Sequence, residues 1–488
     1  MSAVIGNVAG LSKAEQDELD ALVQVWNAKA GRNDVRQRYY DSHNRLKDLK
    51  VSIPPSLATT ETVVGWPAKA VNALAQRSIF DGFVTSGADQ DPLGLRDLLR
   101  QNHFKLLYRE AVTSELVHSC SFVTVTMGQA GEPDILLSLR SARFASAIWD
   151  MRARRIRSGM AVTDVDRDNR SQPTEVTLYL ADAVIICESR NGRWTVAEKM
   201  PNPLGRPLME PLVFQPSLDR PFGHSRVSRE VMSITDSAVR QALRMEVLSE
   251  FNTSPQRYVL GAQDDIFADG KWSALMSTIL GLGDNWDNAD SNQRVTVGQF
   301  PQVSNQGALN YMSQLASRFA GVTGLPVASL GIVSDNPSSA QAIGEARDDL
   351  ITEAESLNES NRVALENVGR MAVALRDGLD IADLPDEVAS IQANFRNPAR
   401  PSISTQSDAI IKQISAIPWL AESEVVLEEL GYSESQITRL LADKRRSDGG
   451  SLLDKALATA RAGVSNGNLA AGGGIPAGSE SDTNSGGT

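Results

Sequence analysis

The spacing of hydrophobic positions switches between the helical and the strand period along the chain, and the switches mark out its regions. Leu19, Leu22, Val23 and Trp26 recur at helical spacing behind an S-x-x-E capping box, Ser12 to Glu15, and this first helix is expected to end near Gly31. VRQRYYDSHNRLKDL predicts a second, short helix stopped by Pro54 and Pro55, and WPAKAVNALAQRSIF a third with Pro67 in its first turn. From Ser121 to about Phe214 the runs SFVTVTM, DILLSLR, FASAIWD, EVTLYL, AVIICES and RWTVAEK, separated by Gly, Asn, Asp and Pro, predict a meandering sheet inserted among helices.

The rest of the chain returns to the helical period. Ser225 to Phe251 would span about 40 Å if fully helical. Val227, Val231, Ile234, Ala238, Ala242 and Met245 make one apolar stripe, Met232, Val239 and Leu243 lie on a neighbouring face, and Arg229, Asp236, Arg240 and Arg244 form a polar strip. An apolar arc this wide predicts more than one partner surface. A short acidic excursion over residues 253 to 303 separates it from GALNYMSQLASRFAG, a second helix carrying Leu309, Met312, Leu315 and Phe319 and ending at Gly321 and Pro326.

After the loop PVASLGIVSDN, Asn336 and Pro337 suit the N-cap and first turn of a helix that runs to about Leu379. That length predicts a kink or break near Ser356 to Asn361. A strand-like VASIQANF follows, then compact helices: SDAIIKQISAI, EVVLEEL closed by Gly431, SESQITRLLADKRR opened by a Ser433 to Gln436 box, and SLLDKALATARAG. The Gly- and Ser-rich end is expected to be disordered. The fold class read from this pattern is α+β, mainly helical.

Composition changes this picture in two ways. With 41% hydrophobic and 22% charged residues, most of the 488-residue chain should fold, as several domains. The formal net charge of -12 disfavours a protein that grips nucleic acid through many phosphate contacts, yet permits one that DNA slides past. Cys120 and Cys187, both in apolar strand-like runs, read as buried free thiols rather than a disulfide. The N-terminus lacks a signal-peptide pattern and no apolar run is long enough to span a membrane, so a soluble protein made in the cytosol is expected.

Candidate chemistry is sparse. Gly223-His224-Ser225-Arg226-Val227 approaches a nucleophile elbow but lacks its second Gly, and Gly270-Lys271-Trp272 has neither the spacing nor the hydroxyl of a P-loop. His43, His103, His118 and His224 are scattered and the two cysteines form no C-x-x-C, so no zinc site is read. Asp164, Asp166, Asp168 and Glu175 have the spacing of a calcium loop, although Asn169 replaces its turn glycine, and an acidic hairpin tip is the plainer reading. The run Met151 to Arg157 with its four arginines reads as a solvated strand edge before a nucleic-acid contact. Asp264, Asp265, Asp269, Asp284, Asp287 and Asp290 form either a solvated face or an acidic docking surface. No metal, no cofactor and no enzymatic activity are expected.

PFGHSRVSREVMSITDSAVRQALRMEVLSEFNTSPQRYVLG, residues 221 to 261, resembles the segment of tailed-phage portal proteins in which a P-x-G-x-S turn launches a long helix that ends at an aromatic residue and a Pro-x-Arg strand. RYYDSHNRL, VVGWPAKAVNALAQRSIFDGF, GVTGLPVASLG with NPSSAQAIGEARDDL, and FRNPARPSISTQSDAIIKQ resemble further family segments in the same order, together covering most of residues 35 to 445. The resemblance implies a portal fold assembled as a ring, usually a homododecamer. It implies a wing over residues 1–224, a first stem helix over 225–252, a clip over 253–303 and a second stem helix over 304–324. A tunnel loop over 325–339, a long helix and returning wing strand over 340–401, a crown over 402–446 and a C-terminal tail over 447–488 complete it.

On that resemblance the tunnel-loop residues Leu330, Ile332, Val333, Ser334, Asp335 and Asn336 would line a DNA channel, Arg229, Arg240 and Arg244 could face its lumen, and the aspartates of the clip could dock partners. Pairing of those arginines to Asp236 or Glu246 of a neighbouring subunit is the plainer alternative. The implied partners are copies of the chain itself, the terminase large subunit, head-completion or adaptor proteins, major capsid and scaffold proteins, and double-stranded DNA passing without sequence specificity. The implied location is the capsid portal vertex of the virion. A different virion structural protein, such as a capsid or scaffold component, is the competing class, with a calcium-assisted hydrolase third.

Overall fold

In the computed structural model the described residues are 5–44, 62–85, 91, 93–169, 172–253, 257–260, 296–299, 301, 304–332, 340–399, 403–432 and 436–447. They fall in two units, Met1–Ala399 and Arg400–Thr488.

In the first unit a short strand β1 (Val8–Ala9) leads into α1 (Lys13–Tyr40). The capping box forms as read: the Glu15 amide donates to Ser12 Oγ at 3.4 Å and the Ser12 amide to Glu15 Oε2 at 2.8 Å. The helix does not end at Gly31 but continues to Tyr40, merging the two helices read from the sequence. Burial overrides the glycine, because Leu19, Leu22, Val23, Trp26, Ala30 and Asn33 make one continuous buried face. The proposed stop at Pro54 and Pro55 lies outside the described residues.

That face covers a six-stranded sheet in the order β1-β9-β8-β7-β6-β5, with β5 (Ala145–Asp150), β6 (Arg155–Val165), β7 (Pro173–Tyr179), β8 (Ala183–Arg190) and β9 (Arg193–Pro201). Met160, Val162, Val176, Leu178, Ile185 and Cys187 meet Leu19, Leu22 and Trp26 in a core of their own. The strand list read from the sequence omitted β6, whose first residues are the arginine run. A second sheet joins β3 (Cys120–Met127), β4 (Ile135–Ser141) and β10 (Met209–Val213) in the order β10-β3-β4. It belongs to the larger core with α2 (Trp66–Ala75), α3 (Leu95–Gln101) and α4 (Phe104–His118). Cys120 sits in this larger core and Cys187 in the smaller one, both as free thiols, as expected.

The chain then forms α5 (Arg229–Thr253), the antiparallel strand pair β11 (Arg257–Leu260) and β12 (Thr296–Gln299), α6 (Gln306–Thr323), a 3-10 turn (Val327–Leu330) and α7 (Ala340–Asp377). At 38 residues α7 is about 57 Å long and unbroken. No break interrupts it near Ser356 to Asn361, and polar residues there bond outward. Ser360 Oγ donates to the Val213 carbonyl at 2.8 Å, and Asn361 Nδ2 donates to Glu115 Oε2 at 2.9 Å. A one-turn helix α8 (Asp386–Ala389) replaces the first half of the strand read as VASIQANF, and β13 (Gln392–Phe395) pairs antiparallel with β2 (Phe80–Val84). The α+β expectation holds.

The second unit contains α9 (Ile403–Ala416), a 3-10 turn (Pro418–Glu422), α10 (Glu424–Glu429) and a helix over 436–447. The Val425 amide donates to Ser423 Oγ at 3.3 Å to cap α10, and Gly431 follows it at φ +85°. The C-terminal stretch expected to be disordered lies outside the described residues, as does Ser433.

The apolar arc of α5 divides along its length. Val231, Ile234, Ala238 and Val239 are buried within the chain itself, Ala238 completely. The sequence argument that this stripe exceeds what one chain can cover therefore fails for the first half of the helix. Ala238→Asp would bury an unpaired carboxylate in the monomer's core, and should lower the stability of the first unit by about 3 kcal/mol or more. A chemical denaturation midpoint equal to that of the parent chain would contradict this packing.

Candidate functional site

The described residues offer no catalytic constellation. They offer instead a helix pair anchored at one end by a polar knot. The knot begins at the turn Pro221 to Arg226. Gly223 adopts φ +65°, and a Cβ there would lie 2.1 Å from the Phe214 carbonyl oxygen, so only glycine fits. The His224 amide donates to that same carbonyl at 2.9 Å. Ser225 Oγ donates to the Val117 carbonyl at 2.5 Å and accepts the Val227 amide at 3.0 Å. These contacts give the P-x-G-x-S string its physical content: the glycine permits close approach, and the serine ties the start of α5 to the end of α4. They also agree with the rejection of a nucleophile elbow, since Ser225 is buried against backbone and His224 Nδ1 lies 3.0 Å from the Gln215 carbonyl.

Arg226 is the centre of the knot. Its amide donates to the Leu116 carbonyl at 2.8 Å, Nε to the Ala70 carbonyl at 2.9 Å and Nη2 to the Thr323 carbonyl at 2.7 Å, while Nη1 pairs with Glu353. The side chain is 4% exposed. Its guanidinium fork thus joins α2, the last turn of α6 and α7, and its backbone joins α4. A buried cation is tolerated because its bonds replace lost solvation.

From this root α5 and α6 run antiparallel. Near the root Phe319 of α6 meets Trp66 of α2 at 5.4 Å between ring centroids, and Leu315, Ala316 and Ala320 are buried with it. Midway, Gln241 Nε2 donates to the Ala308 carbonyl at 3.0 Å, and at the far end Asn252 Nδ2 donates to Asn305 Oδ1 at 2.8 Å. Beyond Gln241 the apolar residues Ala242, Leu243, Met245, Val247 and Leu248 are only half-buried, and Leu309 and Tyr311 of α6 are exposed.

The residues singled out in the sequence are not gathered in one place. Arg229 and Arg244 are exposed; Arg240 is half-buried and Nη2 donates to Ser237 Oγ at 2.9 Å. Asp236 accepts the Tyr39 hydroxyl at 2.9 Å and Asn44 Nδ2 at 3.3 Å, and Glu246 accepts the Thr62 hydroxyl at 3.2 Å. Both carboxylates offered as partners for the arginines are thus engaged within the chain, and burial together with Asp236 pushes the Tyr39 hydroxyl up to about 12. Leu330 and Ile332 pack against the larger core, whereas Val333, Ser334, Asp335 and Asn336 lie outside the described residues. So do Asp264, Asp265, Asp269, Asp284, Asp287 and Asp290.

Asp164 stands opposite Glu175 across a bulged β6–β7 pair, and Asp166 Oδ1 accepts the Asp168 and Asn169 amides at 2.9 and 2.7 Å. That carboxylate caps a turn, which is the hairpin-tip reading. No group of three potential ligands converges on a metal position among the described residues. In the arginine run, Arg157 pairs with Glu18 of α1 at 3.1 Å, on a strand that lies between β5 and β7 and so is not at the sheet edge.

One buried cluster escaped the sequence reading. Glu115, fully buried in α4, accepts from Asn361, which also donates to Tyr108 Oη at 3.2 Å, itself 2.9 Å from Ser78 Oγ. Burial raises the Glu115 carboxyl to about 8, and its Oε1 has no partner. The only trace in the sequence is an asparagine inside an otherwise apolar face of a long helix.

Two curated relatives align with nearly the whole of this architecture. The portal protein of Mycobacterium phage L5 is 26% identical over 408 residues, 81% of this chain and 81% of the relative, and that of Mycobacterium phage D29 is 26% identical over 407 residues with the same coverage. The chain is similar in sequence to these two phage portal proteins. No family model matches it. Among solved structures, the neck of an empty gene transfer agent particle covers 84% of this chain and 98% of its own at 12% identity and a TM-score of 0.44. The virion of a native gene transfer agent particle covers 75% and 90% at 13% identity and a TM-score of 0.43. The expectation of a structural, non-enzymatic protein agrees with the portal relatives.

Two measurements probe the knot and the cluster. Arg226→Lys keeps the charge but loses the fork, so it should lower stability by about 3 kcal/mol in denaturant titration; a change below about 0.5 kcal/mol would remove Arg226 from its central place. Glu115 ionises at about 8 in the folded chain against an ordinary 4.5. Between those values the folded state holds the extra proton, so stability should fall as pH rises from about 4.5 through about 8. Glu115→Gln should flatten that slope, and an unchanged pH profile of the melting temperature would refute the assignment.

Proposed function

We propose that this chain is a portal protein, forming the ring-shaped DNA channel at one capsid vertex through which the genome is packaged by the terminase motor and later ejected. Connector and tail proteins dock on the same ring. The reading rests on the 26% identity with two proteins named portal protein over 81% of the chain. The geometry supports it through the anchored helix pair: α5 and α6 serve as the stem, with the segment that carries β11 and β12 as the clip, and residues 325–339 as the tunnel loop.

The wing then comprises residues 1–224 with the returning strand β13, and the crown residues 402–446. Net charge fits a conduit. With a formal charge of -12, phosphates meet no general attraction that would arrest a moving duplex. Channel residues on this proposal are Leu330, Ile332, Val333, Ser334, Asp335 and Asn336, with Arg229 and Arg244 as exposed cations on α5. The protein's place is the virion, and the described residues contain no helix long and apolar enough to cross a membrane.

The half-buried second half of α5 supplies the self-association surface. Electron microscopy of purified protein should show closed rings with a central hole; a uniformly monomeric preparation or extended sheets would sink the proposal. Leu243→Glu places a charge on that half, away from the monomer's core. It should abolish rings while leaving the thermal unfolding of the first unit within a few degrees of the parent, and rings formed at parental yield would show that α5 does not join subunits.

A further inference from the structure

A cavity of about 390 Å³ opens where α1 passes the end of α4 and the turn that precedes Arg226. None of the portal roles uses it. Its walls carry four cations: Lys29, Arg32 and Arg36 from one face of α1, and Arg220 from the turn opposite. A single acid, Asp219, lines it with them. The neighbouring Asp34 is 3.1 Å from Arg143 and committed to it.

These cations share one cleft, and among the described residues none of them is paired with a carboxylate. Burial, and after it Arg32, Arg220 and Arg36, hold the Lys29 ammonium below its usual range. Burial and Arg32 bring Arg36 down to about 10. Among the described residues Lys29, Arg32 and Arg220 form no ion pair, and Arg36 Nη1 donates to the His118 carbonyl at 3.2 Å. His118 itself is 4% exposed, lines the cavity and leaves Nε2 without a partner.

A cluster of like charges around a cleft raises the folded state's energy unless an anion occupies it. In a chain with an excess of acidic residues, 60 against 48 basic, chance alone does not favour such a cluster. Three guanidinium forks match tetrahedral oxyanions, whose several oxygens accept paired N–H donors, better than a single carboxylate. We propose that this cleft is a phosphate-binding site, taking inorganic phosphate or a phosphate carried on a nucleic-acid strand.

The test is calorimetric titration of the full chain with inorganic phosphate at constant ionic strength in chloride. Saturable binding is expected. Lys29→Gln combined with Arg220→Gln, both at the exposed rim, should weaken it by about tenfold or more while leaving the melting temperature without phosphate the same or slightly higher. Competition by a short 5′-phosphorylated single strand would assign the phosphate to nucleic acid, and its failure to compete would assign it to the free ion. Absence of saturable binding, equal binding of chloride, or undiminished binding by the folded double variant would each overturn the proposal. Because none of these readouts depends on ring formation, the site can fail while the portal reading stands.

Discussion

The first unit of this protein is organised around one buried guanidinium. Arg226 bonds the carbonyls of Ala70 in the middle of α2 and Thr323 at the end of α6, pairs with Glu353 on α7 and hangs its own amide on α4. The residues before it exist to bring it there. Gly223 lets the chain approach Phe214, and Ser225 holds the end of α4. Removing the charge would strand two carbonyls and a carboxylate together, which is why the knot constrains more of the fold than any one apolar contact.

Electrostatics elsewhere follows a different rule. The buried acids Glu115 and Glu210 are raised by burial, to about 8 and about 7, and each sits where an amide or guanidinium limits the penalty. The cations of the α1 cleft have no such acid. An overall negative chain can therefore carry one concentrated positive concavity, and on the two proposals these features would serve separate ends, the first for a duplex moving past and the second for an anion held in place.

Local signals were legible in the sequence and distant ones were not. The Ser12 to Glu15 box, the meander of strands and the paired helices on either side of residues 253–303 rest on neighbours within a few positions, and they form as read. The stop at Gly31 and the break near Asn361 were misread because burial and tertiary hydrogen bonds decide them. The P-x-G-x-S string was recognised as a string, but the role of Arg226 was hidden, since its carbonyl partners lie 156 and 97 positions away. The calcium spacing was a local pattern with a local explanation, a carboxylate capping its own turn.

The same limit explains what the apolar stripe of α5 could and could not say. A helical period of buried-type residues runs without change from Val231 to Leu248, although its first half meets the core of its own chain and its second half is only partly covered. Periodicity records that a face is to be buried and carries no mark of which molecule buries it. The hydrogen bonds make the distinction. Up to Gln241 the helix is tied to α6 and, through Tyr39 and Asp236, to α1; beyond it the polar ties include Thr62 with Glu246 and the Asn252–Asn305 pair at the tip. A surface whose apolar side chains are half-covered, on a helix whose root is fixed independently, can accept a second copy without unfolding the first. On the proposed assembly, fold and self-association are separable along one helix, and substitutions before and after Gln241 would act on different equilibria.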